Sequence, residues 1–187
     1  TLAIEAALIA RNRAPGWLRK NFGFMHVKGW REEDWKKLKR AAESGEQARE
    51  GAKIVASDIS PRAIEAAQAN AERAGVAEDI DFHTCDFADT PLPTPPGVIL
   101  MNPEYGERLG DAAQLEPVYA RIGDFFKQKC TGYTGYVFTA SQPLSKKIRL
   151  HSKRRIILYN ANLEARLIEF ELYAGTRDPG DRDMGAA

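Results

Sequence analysis

The sequence has 187 residues, of which 43% are hydrophobic, and its 27 lysine and arginine residues nearly balance 26 aspartate and glutamate residues. This length suits a single domain with a sizeable core, and the formal net charge of +1 excludes a strong overall attraction to nucleic acid. No apolar run approaches the ~20 residues that cross a bilayer. Because Cys85 and Cys130 form no metal-ligand spacing with the three histidines, we expect a metal-free, cytoplasmic protein without a membrane association.

Two helices are predicted near the start of the chain. Leu2–Arg11 carries alanine, leucine, isoleucine and glutamate at helical spacing, and Pro15-Gly16 ends this helix. After an aromatic-rich connection, a second and more polar helix is predicted over Glu32–Ala48.

A strand, a helix and a second strand follow. Lys53–Asp58 is a short apolar run that ends in an acid and predicts a strand. Ser60 and Pro61 supply an N-cap and a first-turn proline for a helix that closes at Gly75. Ile80–Asp86 alternates in the manner of another strand. This order is typical of a parallel α/β sheet.

The same alternation continues in the second half. Val98–Met101 predicts a fully buried strand, Leu115–Lys129 a helix, and Tyr136–Ala140 a further apolar strand that precedes a short basic segment. We therefore expect an α/β fold whose sheet is mostly parallel.

The C-terminal part departs from this alternation. Two strand-like runs, Arg155–Tyr159 and Leu163–Tyr173, are separated only by Asn160-Ala161-Asn162, which predicts a hairpin and hence one reversed strand. We expect one domain over 1–174 and a disordered tail over 175–187.

Polar residues follow the predicted strands at the edge where open α/β sheets bind ligands, namely Asp58, Asp86 and Asn102. A carboxylate at Asp58 can accept both ribose hydroxyls of an adenosine-containing cofactor, or it can cap the next helix. Asp86 can receive an adenine amino group while Phe87 covers the ring; the alternative is a surface turn with a core phenylalanine.

The most specific segment is the loop that runs from Asn102 to Gly110. The Asn102 amide oxygen and the Pro103 carbonyl can both accept hydrogen bonds from an exocyclic amino group, while Tyr105 stacks on a flipped base. Two directed acceptors suit methylation of an aromatic amine, whose lone pair is otherwise delocalised into the ring. The alternative is an Asn-Pro turn beside a core tyrosine.

Four segments together resemble the THUMP-associated ribosomal RNA guanine-N2 methyltransferases of the RlmL type, and the resemblance spans nearly the whole chain. They are TLAIEAALIARNRAPG, SDISPRAIEAAQANAERAG, VILMNPEYGERLG and YNANLEARLIEFELY. The resemblance implies the Rossmann-like fold of class I methyltransferases, with S-adenosylmethionine as cofactor and no metal. It also implies a strand and a glycine-rich loop directly before Thr1, where this sequence starts.

The resemblance also implies roles for individual residues. Asp58 would hold the cofactor ribose and Asp86 would meet the adenine, with Ile59, Phe87 and Asn102 completing the cofactor site. Asn102, Pro103 and Tyr105 would form the family's Asn-Pro-Pro-Tyr loop as the catalytic, base-binding residues. Glu104 replaces the second proline of that loop, which frees the φ angle and adds a negative charge.

The function expected from these residues is methyl transfer from S-adenosylmethionine to the N2 amine of guanine in RNA, and the expected partner is ribosomal RNA. Three alternatives remain open at this stage. They are adenine-N6 or cytosine-N4 methylation, a nicotinamide-dependent dehydrogenase that uses Asp58, and a non-catalytic RNA-binding module. The last would use the basic segment Lys146–Arg155 against phosphates. A second basic region of the sequence comprises Arg11, Arg13, Arg19, Lys20, Lys28 and Arg31.

Overall fold

The computed structural model describes residues 1–47, 53–105, 111–160 and 163–175. The chain divides into two compact units, Thr1–Pro93 and Thr94–Ala187. Among the described residues, no helix is long and apolar enough to cross a membrane. Apart from Gly175, the tail predicted to be disordered lies outside the described residues.

In its described residues, the first unit contains three α-helices and a parallel pair of strands. Its helices are α1 (Leu2–Ala10), α2 (Glu32–Ser44) and α3 (Pro61–Ala74), and its strands are β1 (Ile54–Asp58) and β2 (Ile80–Thr84). The strands pair in parallel from Ile54 opposite Ile80 to Asp58 opposite Thr84. The strand and helix predictions for this unit are confirmed, with ends that shift by a few residues.

Helix α3 shows why the local prediction succeeds. The Ser60 hydroxyl accepts a hydrogen bond from the Ala63 N–H, and Pro61 occupies the first turn. Gly75 ends the helix with a φ of 69°, a left-handed conformation that glycine adopts without steric cost. Both ends of the helix are therefore fixed by residues adjacent to it in the sequence.

The core of the first unit is formed by α1, α3 and β2. Its buried members are Ile4 and Ala7 of α1, Ala71 of α3, Val76 after α3, and Ile80 of β2. Alanines at these positions allow the elements to approach closely. Helix α2 contributes no buried residue to this core.

The described part of the second unit contains a four-stranded sheet and two α-helices. Its elements are β3 (Gly97–Met101), α4 (Asp111–Lys129), β4 (Tyr133–Thr139), α5 (Gln142–Lys147), β5 (Arg154–Asn160) and β6 (Leu163–Glu171). The strand order is β3-β4-β6-β5. β3 and β4 are parallel, whereas β6 is antiparallel to both of its neighbours. The predicted antiparallel pairing of the last two strands is confirmed, although Ala161 and Asn162 lie outside the described residues.

One expectation for this unit is wrong. β3 is not fully buried, because Val98 is 68% and Leu100 43% exposed while their neighbours are half-buried. The predicted helix α4 is confirmed, although it begins earlier, at Asp111, so that Pro117 lies in its second turn. The basic segment after β4, for which no element was predicted, includes helix α5, whose N-cap Ser141 accepts a hydrogen bond from the Leu144 N–H.

Helix α4 packs tightly within the second unit. Its residues Tyr119, Ile122 and Phe126 are almost completely buried, as is Val137 of β4. At Gly123 the approach is so close that a Cβ atom would lie 2.0 Å from the Ile148 carbonyl oxygen. A glycine is therefore required there for α4 to pack against the end of α5, and this packing also fixes the position of Tyr119.

Candidate functional site

The carboxyl ends of β1 and β2 form the candidate cofactor site of the first unit. Because these strands are parallel, their ends lie at the same edge, and the Cys85 N–H donates a hydrogen bond of 3.1 Å to the Asp58 carbonyl. The structure thus brings the segments of Asp58 and Asp86 together, as the sequence predicts. Asn102, Pro103 and Tyr105 belong to the second unit.

Asp58 is exposed, and its carboxylate has one local hydrogen bond. The Ser60 N–H donates to Asp58 Oδ1 at 2.8 Å, while no hydrogen bond from the described part of the chain reaches Oδ2. Ile59 is 73% exposed directly beside it. An oriented carboxylate with an available oxygen, next to an apolar side chain, fits the ribose of an adenosine-containing cofactor.

Asp86 lies two residues beyond the end of β2 and starts a short 3₁₀ turn, Phe87–Asp89. Its Oδ1 accepts a hydrogen bond of 2.9 Å from the Ala88 N–H. The Ser57 and Thr90 hydroxyls lie 2.6 Å apart and so connect this turn to β1. Asp86 and Phe87 are both half-buried, and this partial exposure is compatible with contact to an adenine ring.

The loop after β3 holds the predicted base-binding residues. Asn102 is exposed at the end of the strand, and Pro103 and Tyr105 are half-buried. Residues 106–110 of the motif lie outside the described residues. The asparagine amide is thus accessible to a ligand, while the two residues that follow it in the motif are partly anchored.

The structure adds a residue that sequence reasoning missed. Tyr119 of α4 is fully buried, and its hydroxyl donates a hydrogen bond of 3.1 Å to the Glu104 carbonyl. The same hydroxyl lies 2.8 Å from Thr139 Oγ1 of β4. Burial raises the pKa of Tyr119, against the opposing effect of the Thr139 hydrogen bond, and keeps the phenol protonated. The available sequence signal was a tyrosine three residues before Ile122 on the buried face of the helix.

Both basic segments meet acidic residues from other parts of the chain. In the segment Lys146–Arg155, Lys147 Nζ lies 2.7 Å from Glu116 and Arg154 lies 2.9 Å from Glu169. In the second basic region, Arg11 binds Asp79 through two hydrogen bonds of 2.5 and 3.1 Å. Acids that are distant in sequence therefore neutralise part of the charge that a non-catalytic RNA-binding module would use.

In the described part of the chain, no group of three or more histidine, cysteine, aspartate or glutamate residues converges to hold a metal ion. Both cysteines are free, and burial raises the pKa of Cys130 to about 12.

Comparison with known proteins identifies the family. Over residues 1–169 the chain matches the family described as RMKL-like, methyltransferase domain. The chain belongs to this family. It is 38% identical over 181 residues to the ribosomal RNA large subunit methyltransferase K/L of Allochromatium vinosum, with 92% of this chain and 24% of that protein covered. It is 34% identical over 173 residues to a candidate RNA methyltransferase of Synechocystis, with 92% of this chain and 45% of that protein covered.

Solved structures show the same fold as this RMKL-like domain. A crystal structure of a candidate methyltransferase complexed with SAH has a TM-score of 0.81 at 25% identity, and the match covers 94% of this chain and 46% of that one. A methylase candidate from Clostridium difficile 630 has a TM-score of 0.82 at 28% identity, with the same coverage. The predicted Rossmann-like methyltransferase fold is confirmed. The chain spans less than half the length of each of these relatives and structures.

Proposed function

We propose that this RMKL-like domain transfers a methyl group from S-adenosylmethionine to the exocyclic N2 amine of guanine in ribosomal RNA. The observation that carries this proposal is the loop Asn102-Pro103-Glu104-Tyr105, placed directly at the carboxyl end of β3. The curated relatives named as RNA and ribosomal RNA methyltransferases support the substrate class. The structure complexed with SAH supports the cofactor.

The residues of the first unit would hold the cofactor. The Asp58 carboxylate would accept the ribose hydroxyls, and its local bond to the Ser60 N–H already orients it. Asp86 would accept the adenine amino group, and Ile59 and Phe87 would supply apolar contacts to the ring. When bound, the cofactor supplies an electrophilic methyl group on its sulfonium sulfur.

The loop after β3 would prepare the target amine. The Asn102 amide oxygen and the Pro103 carbonyl would each accept one N–H of the amine, which reduces the conjugation of its lone pair with the ring. As the new N–C bond forms, one of these two protons would leave to solvent. Tyr105 would stack on the base that is taken out of its helix. These residues orient the nitrogen and increase its nucleophilicity, so no strongly basic side chain is needed.

An Asn102→Ala variant of the intact protein tests this assignment. With labelled S-adenosylmethionine and ribosomal RNA, we expect methyl transfer to fall by about 10²–10³-fold, the usual cost of removing one oriented polar group at a reacting centre. SAH affinity, measured by calorimetry, reports separately on cofactor binding. Asn70→Ala, an exposed asparagine of α3, is the matched control and should behave like the wild type. Unchanged turnover in Asn102→Ala would sink the role given to the loop.

Nucleoside mass analysis of the product decides among the target bases. N2-methylguanosine supports the proposal. N6-methyladenosine would instead favour the adenine alternative, which one structural neighbour represents: a protein from Listeria monocytogenes that is named by prediction as an N6-adenine-specific DNA methylase and is 28% identical. RNA binding without affinity for SAH would favour the non-catalytic module.

A further inference from the structure

A series of hydrogen bonds connects the Glu104 carbonyl, in the loop after β3, to Tyr119, Thr139 and the Ser141 N–H. The direction of each bond, from donor to acceptor, is fixed. At one end the Glu104 carbonyl can only accept, so the Tyr119 hydroxyl must donate its proton there. At the other end the Ser141 N–H can only donate, and it donates to Thr139 Oγ1 at 3.1 Å. Thr139 Oγ1–H therefore donates to the Tyr119 oxygen, across the 2.8 Å that separate them. The backbone groups at the two ends thus determine which hydroxyl donates and which accepts in each hydrogen bond.

Burial makes this series of hydrogen bonds hard to rearrange. Tyr119 is fully buried, and Thr139 is 2% exposed. If the loop moved away, the Tyr119 hydroxyl would lose its acceptor, and leaving a buried hydroxyl without a hydrogen bond costs free energy. The helix that carries Tyr119 is itself held by the close contact of Gly123 with Ile148, and Thr139 is held in β4 by its pairing with Arg166 of β6.

The bond acts at the position where this chain departs from the motif of the family it resembles. A proline at 104 would fix φ covalently, whereas the glutamate that stands there leaves φ free. The Tyr119 hydroxyl instead fixes the orientation of the peptide group between Glu104 and Tyr105. That peptide sets the direction in which the Tyr105 side chain leaves the loop.

We propose that Tyr119, oriented by Thr139, is a positioning residue that holds the peptide between Glu104 and Tyr105 and thereby sets Tyr105 for stacking on the target base. The inference rests on the proposed function, because it assigns Tyr105 to that base. Tyr119 is buried and does not touch the substrate, so it acts only through the loop.

Tyr119→Phe removes one oxygen atom and keeps the ring in the core, so it is the first variant to measure. In the intact protein we expect SAH affinity to be unchanged and kcat for RNA methylation to fall about 10–100-fold, as is usual when a reacting group is slightly misplaced. Thr139→Val should reproduce this loss, while Thr139→Ser, which keeps the hydroxyl, should retain wild-type turnover. Wild-type turnover in Tyr119→Phe would overturn the proposal.

A rescue variant separates positioning from a general weakening of the core. Glu104→Pro restores the covalent restriction of φ, so in the Tyr119→Phe background it should recover most of the lost kcat. The single variant Glu104→Pro is measured beside it, so that the recovery is the ratio of kcat with and without Tyr119→Phe in the same loop background. If the double variant stays as slow as Tyr119→Phe, the loss comes from the core and the inference is wrong.

Amide hydrogen exchange makes a failure of this inference distinguishable from a failure of the proposed function. Peptides that cover Asn102–Tyr105 should exchange faster in Tyr119→Phe than in the wild type, whatever the enzyme methylates. Faster exchange together with a wild type that methylates no nucleoside would remove the proposed function and leave the contact in place. Unchanged exchange would remove the positioning role.

Discussion

The polar residues that follow the strands are held in different ways in the two units. In the first unit, Asp58 and Asp86 each accept a hydrogen bond from a backbone N–H two residues further along. In the second unit, the Glu104 carbonyl depends on Tyr119, which lies 15 residues away, and Tyr119 pairs with Thr139, a further 20 residues away. The first arrangement is local, whereas the second passes through the core.

In the first unit, residues that stabilise the fold and residues that hold the predicted site are therefore largely different. In the second unit, the same buried residue serves both purposes. Apart from the Ser57–Thr90 hydrogen bond beside the site, two long-range side-chain contacts of the first unit lie away from Asp58 and Asp86: Arg11 of α1 binds Asp79, which directly precedes β2, and Arg13 binds both Glu46 and the Ala74 carbonyl. Changes there should alter stability and leave the carboxylates in place. In the second unit, a change in the core at Tyr119 should reach the loop directly.

The largest expected effect concerns the ion pair between the half-buried Arg11 and the buried Asp79 in the first unit. Arg11→Met would leave the Asp79 carboxylate, which is 4% exposed, without its partner, and should lower the free energy of unfolding by about 2–3 kcal/mol. Urea denaturation measures this loss. SAH affinity of the folded variant should match the wild type, because Asp58 and Asp86 keep their local bonds. A loss of SAH affinity alongside the loss of stability would contradict the independence of the two in the first unit.

Arg31→Met is the control for this prediction. Arg31 pairs with Glu33 and Asp34 at 3.7 and 3.4 Å, and all three side chains are exposed. Exposed pairs contribute roughly 0–1 kcal/mol, so its unfolding curve should nearly overlay that of the wild type.

A smaller effect is expected for Asp58→Asn, and on binding rather than stability. The asparagine oxygen still accepts the Ser60 N–H, so the free energy of unfolding should change by less than about 0.5 kcal/mol. Losing the charge should weaken SAH binding about 10–100-fold, since hydrogen bonds to charged groups contribute roughly 1.5–3 kcal/mol. Calorimetry measures the SAH affinity of Asp58→Asn and of Asp81→Asn, which is the matched control because Asp81 is also an exposed aspartate. Equal affinity of Asp58→Asn and the wild type would exclude Asp58 from the cofactor site.

The smallest effect is a pH dependence in the first unit. The hydrogen bond from Arg13 lowers the pKa of Glu46 below its ordinary value near 4.5. Since the folded state then binds the proton more weakly than the unfolded chain, this group stabilises the protein above pH 4.5, and the contribution disappears as the pH falls through the lowered pKa. Glu46→Gln should therefore be less stable by about 0.5 kcal/mol at pH 7 and converge with the wild type in acid. A difference that is constant with pH would contradict this linkage.

Elements with short-range signals could be predicted from the sequence. Helix α3 has its cap at Ser60 and its end at Gly75, and both act on their immediate neighbours. The final pair of strands follows from two apolar runs too close together for a parallel crossover. The positions of Asp58, Asp86 and Asn102 after the strands could be predicted, and they stay predicted site residues because the carboxyl end of a parallel strand is where such sheets bind ligands.

Features that depend on partners distant in sequence could not be predicted. The exposure of Val98 and Leu100 in β3 depends on what packs against each face of the strand, and an apolar run alone does not specify this. The charge of Lys147 and Arg154 suggested an open basic surface until Glu116 and Glu169 were located beside them. Helix α5 was missed because only six residues form it, too few for a periodic pattern.

By itself the sequence determined the methyltransferase fold class, the reversed strand and the residues at the strand ends. Each of these rests on neighbouring residues: a periodicity, a cap, a short connection or a motif. Only the tertiary structure decided that the Tyr119 hydroxyl donates to the Glu104 carbonyl and pairs with Thr139. Hydrogen bonds between α4, β4 and the loop require atoms to approach within about 3 Å, and such proximity exists only after the chain has packed.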